Sequence, residues 1–212
     1  IVGCQVDLGY TTPDPGKRPE DPAPIVLLAQ SEAGYMNLMK LNSCLYLDQG
    51  GQLPQVTLAD LVTHSEGLIC LSGGPDGPVG RLLRQGQRPK AEALMDALAA
   101  AFPDRLYVEM QRHPDGAGLP AAEKLSERGF IEMAYAKDLP LVATNDVYFP
   151  KIGLYEAHDA LICISEGAYV DQQEPRRRLT PQHYFKSPQE MIALFADLPE
   201  AIENTVEIAK RC

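Results

Sequence analysis

Asp146 is the residue whose type and position most clearly suggest chemistry. It follows an apolar run that extends from Leu139 to Thr144, and Tyr148 lies two positions beyond it. The run has the composition of a buried strand. In a barrel of parallel strands, the side chains at the C-terminal strand ends carry the chemistry. We therefore expect Asp146 to occupy a position suited to a metal ligand or a catalytic acid.

A second candidate is the polar pair Glu109 and His113, which lies at the end of another strand-like run. One strand end could bring both side chains to the mouth of a barrel. Buried polar side chains are usually satisfied by hydrogen bonds, and we favour a hydrogen-bonding role for this pair. The other histidines, His64, His158 and His183, complete a set whose spacings match no standard zinc motif.

The glycine-rich run from Gly73 to Gly77 lies between a strand-like segment and a helical one. A phosphate group could meet a helix N-terminus at such a place. The run lacks the Gly-Lys-Ser/Thr sequence of a P-loop. We therefore interpret it as a tight turn.

Short apolar runs alternate with helical patterns along the chain, which is typical of a parallel sheet with crossover helices. Strands are predicted at residues 1–6, 25–29, 68–72, 105–110 and 139–144. Helices are predicted at residues 34–46, 58–64, 78–84, 90–102, 119–137 and 154–164. Ser187 and Glu190 form a capping box with a proline between them at the first helical position. A last helix is predicted from Pro199 to about Arg211.

The composition favours one domain with a sizeable core, since 45% of the 212 residues are hydrophobic. The formal net charge of -10, with 29 acidic and 19 basic residues, argues against a surface for duplex DNA. Arg176, Arg177 and Arg178 form the densest basic run. We interpret that run as a solvated loop rather than a nucleic-acid contact.

The five cysteines are odd in number and lack paired metal spacing. Cys4, Cys70 and Cys163 lie in apolar runs, a pattern typical of buried free thiols in a reducing cytosol. We find no signal peptide and no apolar run as long as a membrane span. A cytoplasmic protein is therefore expected. Ile1 lies inside a strand-like run, which predicts that the chain is a fragment.

Four motifs resemble the polymerase-and-histidinol-phosphatase (PHP) domains of bacterial replicative DNA polymerase III α subunits, and they occur in the family's order. They are Gly34-Tyr-Met-Asn-Leu38; Glu66-Gly-Leu-Ile-Cys-Leu-Ser-Gly-Gly74 with Gly77-Pro-Val-Gly80; Ala143-Thr-Asn-Asp-Val147; and Phe185-Lys-Ser-Pro-Gln-Glu-Met191 with Asn204-Thr-Val-Glu-Ile-Ala-Lys-Arg-Cys212. The resemblance implies the α/β class and a distorted seven-stranded, TIM-like β/α barrel. The first strands would be missing from this chain. The resemblance also implies a division of the chain. Residues 1–185 would be a partial PHP domain, and residues 186–212 would be C-terminal helices that lead toward the polymerase palm.

The resemblance also locates the positions at which other members of the family hold a cluster of metal ions. A glutamate position of the family corresponds to Gln5, a histidine position to Pro24 and a cysteine position to Gly74. The family's terminal Asp-x-His corresponds to Asp146 and Tyr148. Only Asp146 keeps a ligand type. One carboxylate cannot hold a catalytic metal cluster, so the resemblance implies a vestigial site with no catalytic residue and no bound metal.

The function implied by the resemblance belongs to a larger chain. That chain would be a DNA-directed DNA polymerase that uses magnesium in a palm domain outside this sequence. This segment would have a structural role and would have no cofactor of its own. It would contact other domains of the polymerase and could dock the proofreading exonuclease subunit. DNA would be bound by the larger chain. The alternative is an active metal-dependent phosphoesterase or 3′–5′ exonuclease, against which Gln5, Gly74 and Tyr148 argue.

Overall fold

A computed structural model describes residues 1–10, 20–47, 53–116, 118–172 and 179–212 of the chain. Within these ranges the fold is a mixed α/β structure with a six-stranded sheet and eight α-helices. The strands are β1 (Gly3–Gly9), β2 (Ala23–Ala29), β3 (Val56–Thr57), β4 (Leu68–Leu71), β5 (Leu106–Gln111) and β6 (Leu141–Thr144). The helices are α1 (Glu32–Cys44), α2 (Leu58–Thr63), α3 (Pro78–Arg84), α4 (Arg88–Ala101), α5 (Ala121–Ala136), α6 (Tyr155–Glu166), α7 (Pro188–Leu194) and α8 (Pro199–Arg211).

The strand order in the sheet is β3-β1-β2-β4-β5-β6. Strand β2 runs antiparallel to both of its neighbours, β1 and β4, whereas the remaining pairs are parallel. The expectation of a parallel sheet is therefore wrong for β2. Antiparallel neighbours need no crossover helix, and the sequence between β1 and β2 is rich in proline. The five predicted strands are confirmed with shifted ends, and β3 is an additional strand of two residues.

Local sequence signals explain several helix ends. Pro78 and Pro199 lie at the first positions of α3 and α8, where proline is tolerated because that backbone N–H has no intrahelical partner. The capping box before α7 is confirmed: the Ser187 hydroxyl oxygen accepts from the Glu190 N–H at 3.3 Å. The Glu190 carboxylate accepts from the Ser187 N–H at 2.7 Å. Both bonds satisfy donors that the first helical turn leaves free.

The core fills the space between the sheet and its helices, and Phe102, Phe130 and Phe195 are fully buried in it. The C-terminal helices join the same core. The Asn204 side-chain amide donates to the Leu141 carbonyl at 2.8 Å, which ties α8 to β6. The guanidinium of Arg112, at the end of β5, donates to both Glu127 on α5 and Asp197 between α7 and α8. Helices α7 and α8 are thus bound to the sheet by packing and by a buried cation.

All five cysteines are free thiols. Cys70 and Cys163 are buried as expected, whereas Cys4 is only partly buried. Among the helices in the described parts of the chain, none is both long and apolar enough to cross a lipid bilayer.

Candidate functional site

A polar pocket of about 510 Å³ opens at one end of the sheet, where β4, β5 and β6 finish and β2 begins. Four of the five residues that the sequence assigned to a vestigial site line this pocket: Gln5, Pro24, Asp146 and Tyr148. Further lining side chains come from Arg81, Glu109, Gln111 and Thr144. The strand ends therefore bring together side chains that are far apart in the chain, as the strand-end rule predicts.

Glu109 lines the pocket and is only 3% exposed. Its carboxylate accepts hydrogen bonds from the Gly73 N–H at 3.0 Å, the Gln111 amide at 3.2 Å and the Thr144 hydroxyl at 2.5 Å. Burial raises the pKa of Glu109 above its ordinary value, and the nearby Asp146 charge adds to the rise. The three hydrogen bonds oppose that rise because they favour the ionised form.

The glycine-rich run forms a tight turn after β4, and this interpretation is confirmed. Gly73 has φ of +86° and Gly74 has φ of +58°, both in the left-handed region that favours glycine. A Cβ atom at Gly73 would lie 1.9 Å from the Pro24 carbonyl oxygen. A Cβ atom at Gly74 would lie 2.8 Å from the Gln111 side chain, which lines the pocket. The turn therefore brings the backbone close to both neighbours, and Gly74 contributes no side chain to the pocket.

His113 belongs to a separate buried network. Its ring Nδ1 lies 2.7 Å from the Glu123 carboxylate, which also accepts from the His113 backbone N–H at 2.8 Å. The ring stacks on His183 with the centroids 3.8 Å apart, and Tyr148 meets His183 edge-on. The contacts of Glu109 are with Gly73, Gln111 and Thr144 instead. Each member of the predicted pair makes hydrogen bonds, but to different partners.

Comparison with known proteins supports the assignment of this fold to a family. The family model described as "PHP domain" matches residues 1–113. This chain belongs to the PHP domain family. It is also 50% identical to DNA polymerase III subunit alpha of Caulobacter vibrioides, over all of this chain and 18% of that protein. The same protein of Rickettsia bellii is 43% identical over 90% of the chain, and that of Pseudomonas aeruginosa is 44% identical over 88%.

These relatives are much longer than the chain. The alignments cover 18% of the Caulobacter protein and 16% of the Rickettsia and Pseudomonas proteins. The chain thus spans less than a fifth of the length of the curated relatives it matches.

Two of the carboxylates that line the pocket of this PHP domain are bound to other groups of the protein. Of the carboxylates around the pocket, Glu109 already accepts three hydrogen bonds and Asp76 pairs with Arg84 at 3.1 Å. Gln5 and Tyr148 also line the pocket. Across the described ranges, no three His, Cys, Asp or Glu side chains come together in a group that could hold a metal ion.

Sequence reasoning missed several lining residues of this pocket, among them Arg81, Gln111 and Thr144. A signal for Gln111 was present, because residues two apart on a strand share a face and Glu109 is a candidate from the sequence alone. No comparable signal marks Arg81. Its guanidinium donates to the backbone carbonyls of Asp21, Pro22 and Asp76, and so holds the start of β2 against the turn after β4.

Proposed function

We propose that this chain is the PHP domain of a bacterial DNA polymerase III α subunit and that it acts as a scaffold inside that enzyme. The observation that supports this most strongly is the 50% identity to the Caulobacter protein over the whole chain. In this proposal the larger chain is a DNA-directed DNA polymerase in the cytoplasm. It transfers nucleotides with magnesium bound in domains outside this sequence.

The proposal extends to the fold and its division. In the larger chain, additional strands would complete a distorted seven-stranded β/α barrel around the six-stranded sheet. Residues 1–185 would form the PHP domain proper, and residues 186–212 would lead toward the palm. The bonds from Asn204 to β6 and from Arg112 to Asp197 support a rigid connection between the two parts.

The strand-end pocket in this proposal has no catalytic residue and no bound metal. Gln5 and Tyr148 occupy positions of metal ligands in the resemblance, and both line the pocket. The Glu109 carboxylate is engaged by donors from the protein itself. An active phosphoesterase or exonuclease needs several converging ligands, and this arrangement does not favour that alternative.

A docking role is supported by the outer face of α6. Leu161 and Ile164 on α6 are 61% and 77% exposed, and Leu154, just before the helix, is 44% exposed. Tyr169 and Val170, just beyond the helix, are also exposed. Large apolar patches exposed to solvent mark interaction sites, and several exposed apolar side chains are clustered in this part of the sequence. We assign it to other domains of the polymerase chain, because the relatives extend far beyond the matched segment. The proofreading exonuclease subunit is a second partner in this proposal.

The net charge of -10 supports the assignment of DNA binding to the larger chain rather than to this domain. Arg176, Arg177 and Arg178 lie outside the described residues. The proposal includes no contact with a membrane.

The docking role is tested in the polymerase polypeptide that contains this segment. Leu161→Asp with Ile164→Asp should lower its melting temperature and reduce primer extension at least severalfold, because two charges would enter an apolar interface. The 212-residue chain with the same changes should melt as the unaltered chain does. Leu125→Asp is the matched control, since Leu125 is 63% exposed on α5. A polymerase unaffected by the α6 changes would refute the docking role.

A further inference from the structure

The Glu109 carboxylate connects the ends of three neighbouring strands. Its hydrogen-bond donors are Gly73, which follows β4, Gln111 on β5 and Thr144 at the end of β6. The Ser72 hydroxyl, which is fully buried, also accepts from the Glu109 backbone N–H at 2.9 Å. All three partners of the carboxylate are donors, which suits its ionised, acceptor-only form. We call Glu109, Gln111, Thr144 and the Gly73 N–H the Glu109 cluster.

Gln111 occupies the space into which a side chain at position 74 would extend. An ideal Cβ at Gly74 would lie 2.8 Å from Cδ of Gln111, 2.9 Å from Oε1 and 3.1 Å from Nε2. These separations are too short for an unstrained contact. The Gln111 amide is the end of a flexible side chain, so it would move away rather than stay in collision. By moving, it would lose its 3.2 Å hydrogen bond to Glu109.

We propose that the Glu109 cluster joins the ends of β4, β5 and β6 without a metal ion, and that Gln111 and a side chain at position 74 exclude each other. This inference rests on the proposed metal-free pocket and explains how its polar centre is satisfied. Gln111 is then a positioning residue: it both holds the Glu109 carboxylate and fills the space beside Gly74. The site depends on glycine at position 74 for packing as well as for backbone conformation.

A double-mutant cycle on the 212-residue chain tests the exclusion. Gly74→Ala should lower the melting temperature through its positive φ and through displacement of the Gln111 amide. When Gln111→Ala is already present, there is no amide to displace, so Gly74→Ala should lower the melting temperature by less. We expect the difference to be roughly 3 °C or more, as for residues in direct contact. Strictly additive shifts would overturn the exclusion.

Gly86→Ala is the control that separates strain from displacement. Gly86 has φ of +71°, yet a Cβ there would have no neighbour within 4 Å. Its effect should therefore be the same with and without Gln111→Ala. A coupling at Gly86 as large as that at Gly74 would contradict the proposal, because it would show that the cycle does not report a local contact.

A second pair of variants keeps the proposal testable if Gly74→Ala does not fold. Thr144→Val removes the hydroxyl that donates to Glu109 with little change of shape, whereas Thr144→Ser keeps it. We expect Thr144→Val to lower the melting temperature and Thr144→Ser to restore most of it. Equal losses would contradict the hydrogen-bonding role. Bound metal found by elemental analysis would instead refute the proposed metal-free pocket, so the two failures are distinguishable.

Discussion

The strand-end pocket and the outer face of α6 differ in the polarity and the burial of their side chains. The pocket contains buried polar groups, and Glu109 has three donors within hydrogen-bond distance. The α6 face contains apolar groups, and Leu161 and Ile164 lie mostly in solvent. By position the pocket resembles an active site, yet its buried Glu109 carboxylate is hydrogen-bonded within the domain itself. The α6 face exposes apolar side chains of the kind that partners bind.

We use this contrast to propose where function lies in this domain. A catalytic site keeps groups available for a metal or a substrate. A docking surface keeps apolar area available for a partner. In this domain the buried Glu109 carboxylate is occupied by protein donors. The apolar side chains Leu161 and Ile164 on α6 are exposed. We therefore interpret the pocket as a structural centre and α6 as the contact region.

Removal of the Glu109 carboxylate should have the largest effect on the stability of the 212-residue chain. Glu109→Ala leaves the Gly73 N–H without its acceptor, and the Thr144 and Gln111 donors must turn toward the pocket. We expect the free energy of unfolding to fall by about 2 kcal/mol, measured by chemical denaturation. Glu203→Ala is the control, because Glu203 is exposed on α8 and should change stability by no more than about 0.5 kcal/mol. An unchanged stability of Glu109→Ala would mean that the cluster does not support the fold.

The pH dependence of stability should show the raised pKa of Glu109. A carboxyl group whose pKa is raised in the folded state contributes stability that is fully present below its unfolded pKa, and that is lost as pH rises through the folded pKa. The stability of the unaltered chain relative to Glu109→Gln should therefore increase as pH falls through the raised folded pKa toward the ordinary value of 4.5. The increase cannot exceed about 1.4 kcal/mol per pH unit for one proton.

The comparison with Glu109→Gln removes effects that the two proteins share. Hydrogen bonds from Arg112 lower the pKa of Asp197, and Tyr184 and Ser187 lower that of Glu190 to about 2. The contribution of these groups to the free energy of unfolding is lost as pH falls, which would mask the contribution of Glu109 in a titration of one protein alone. They are present in both proteins and cancel in the difference. A difference that decreases as pH falls would contradict the raised pKa.

The α6 face should tolerate polar substitution in the 212-residue chain. Leu161→Ser with Ile164→Ser removes exposed apolar area and no core contact, so we expect a stability change within about 0.5 kcal/mol per substitution. Binding of a hydrophobic dye should decrease at the same time. A loss of several kcal/mol would show that these side chains stabilise the domain itself, and the distinction between the two regions would fail.

The smallest expected effect concerns DNA binding by the 212-residue chain. Neither region offers a basic surface, and three arginines can release few counterions. We expect no submicromolar binding of primed or single-stranded DNA in fluorescence anisotropy at physiological salt. Submicromolar binding that disappears when Arg176, Arg177 and Arg178 are replaced by alanine would assign a DNA contact to this domain.

Much of the fold was predictable because local signals coincide with element ends. Pro78 and Pro199 begin helices where they were expected, and the capping box at Ser187 begins α7. Strand direction was not predictable in this way, since an apolar run looks the same in either direction, and β2 was assigned wrongly. Strand β3 is too short to show a period.

The candidate site was predictable in part for a similar reason. Pro24 lies at the start of β2 and Asp146 and Tyr148 follow β6, whereas Gln5 lies within β1; all four meet at one pocket. The partners of Glu109 and His113 depend on tertiary contacts: Thr144 reaches Glu109 from another strand, and His183 stacks on His113 from a distant segment. Hydrophobic periodicity carries no information about such pairs.

The metal content of the purified chain tests the central claim most directly. After dialysis against metal-free buffer, elemental analysis should find less than one equivalent of zinc, manganese or magnesium per chain. The melting temperature should also be the same with and without a chelator, because the Glu109 cluster is satisfied by protein donors. Two or more equivalents of tightly held metal, lost together with stability on chelation, would contradict a metal-free structural pocket.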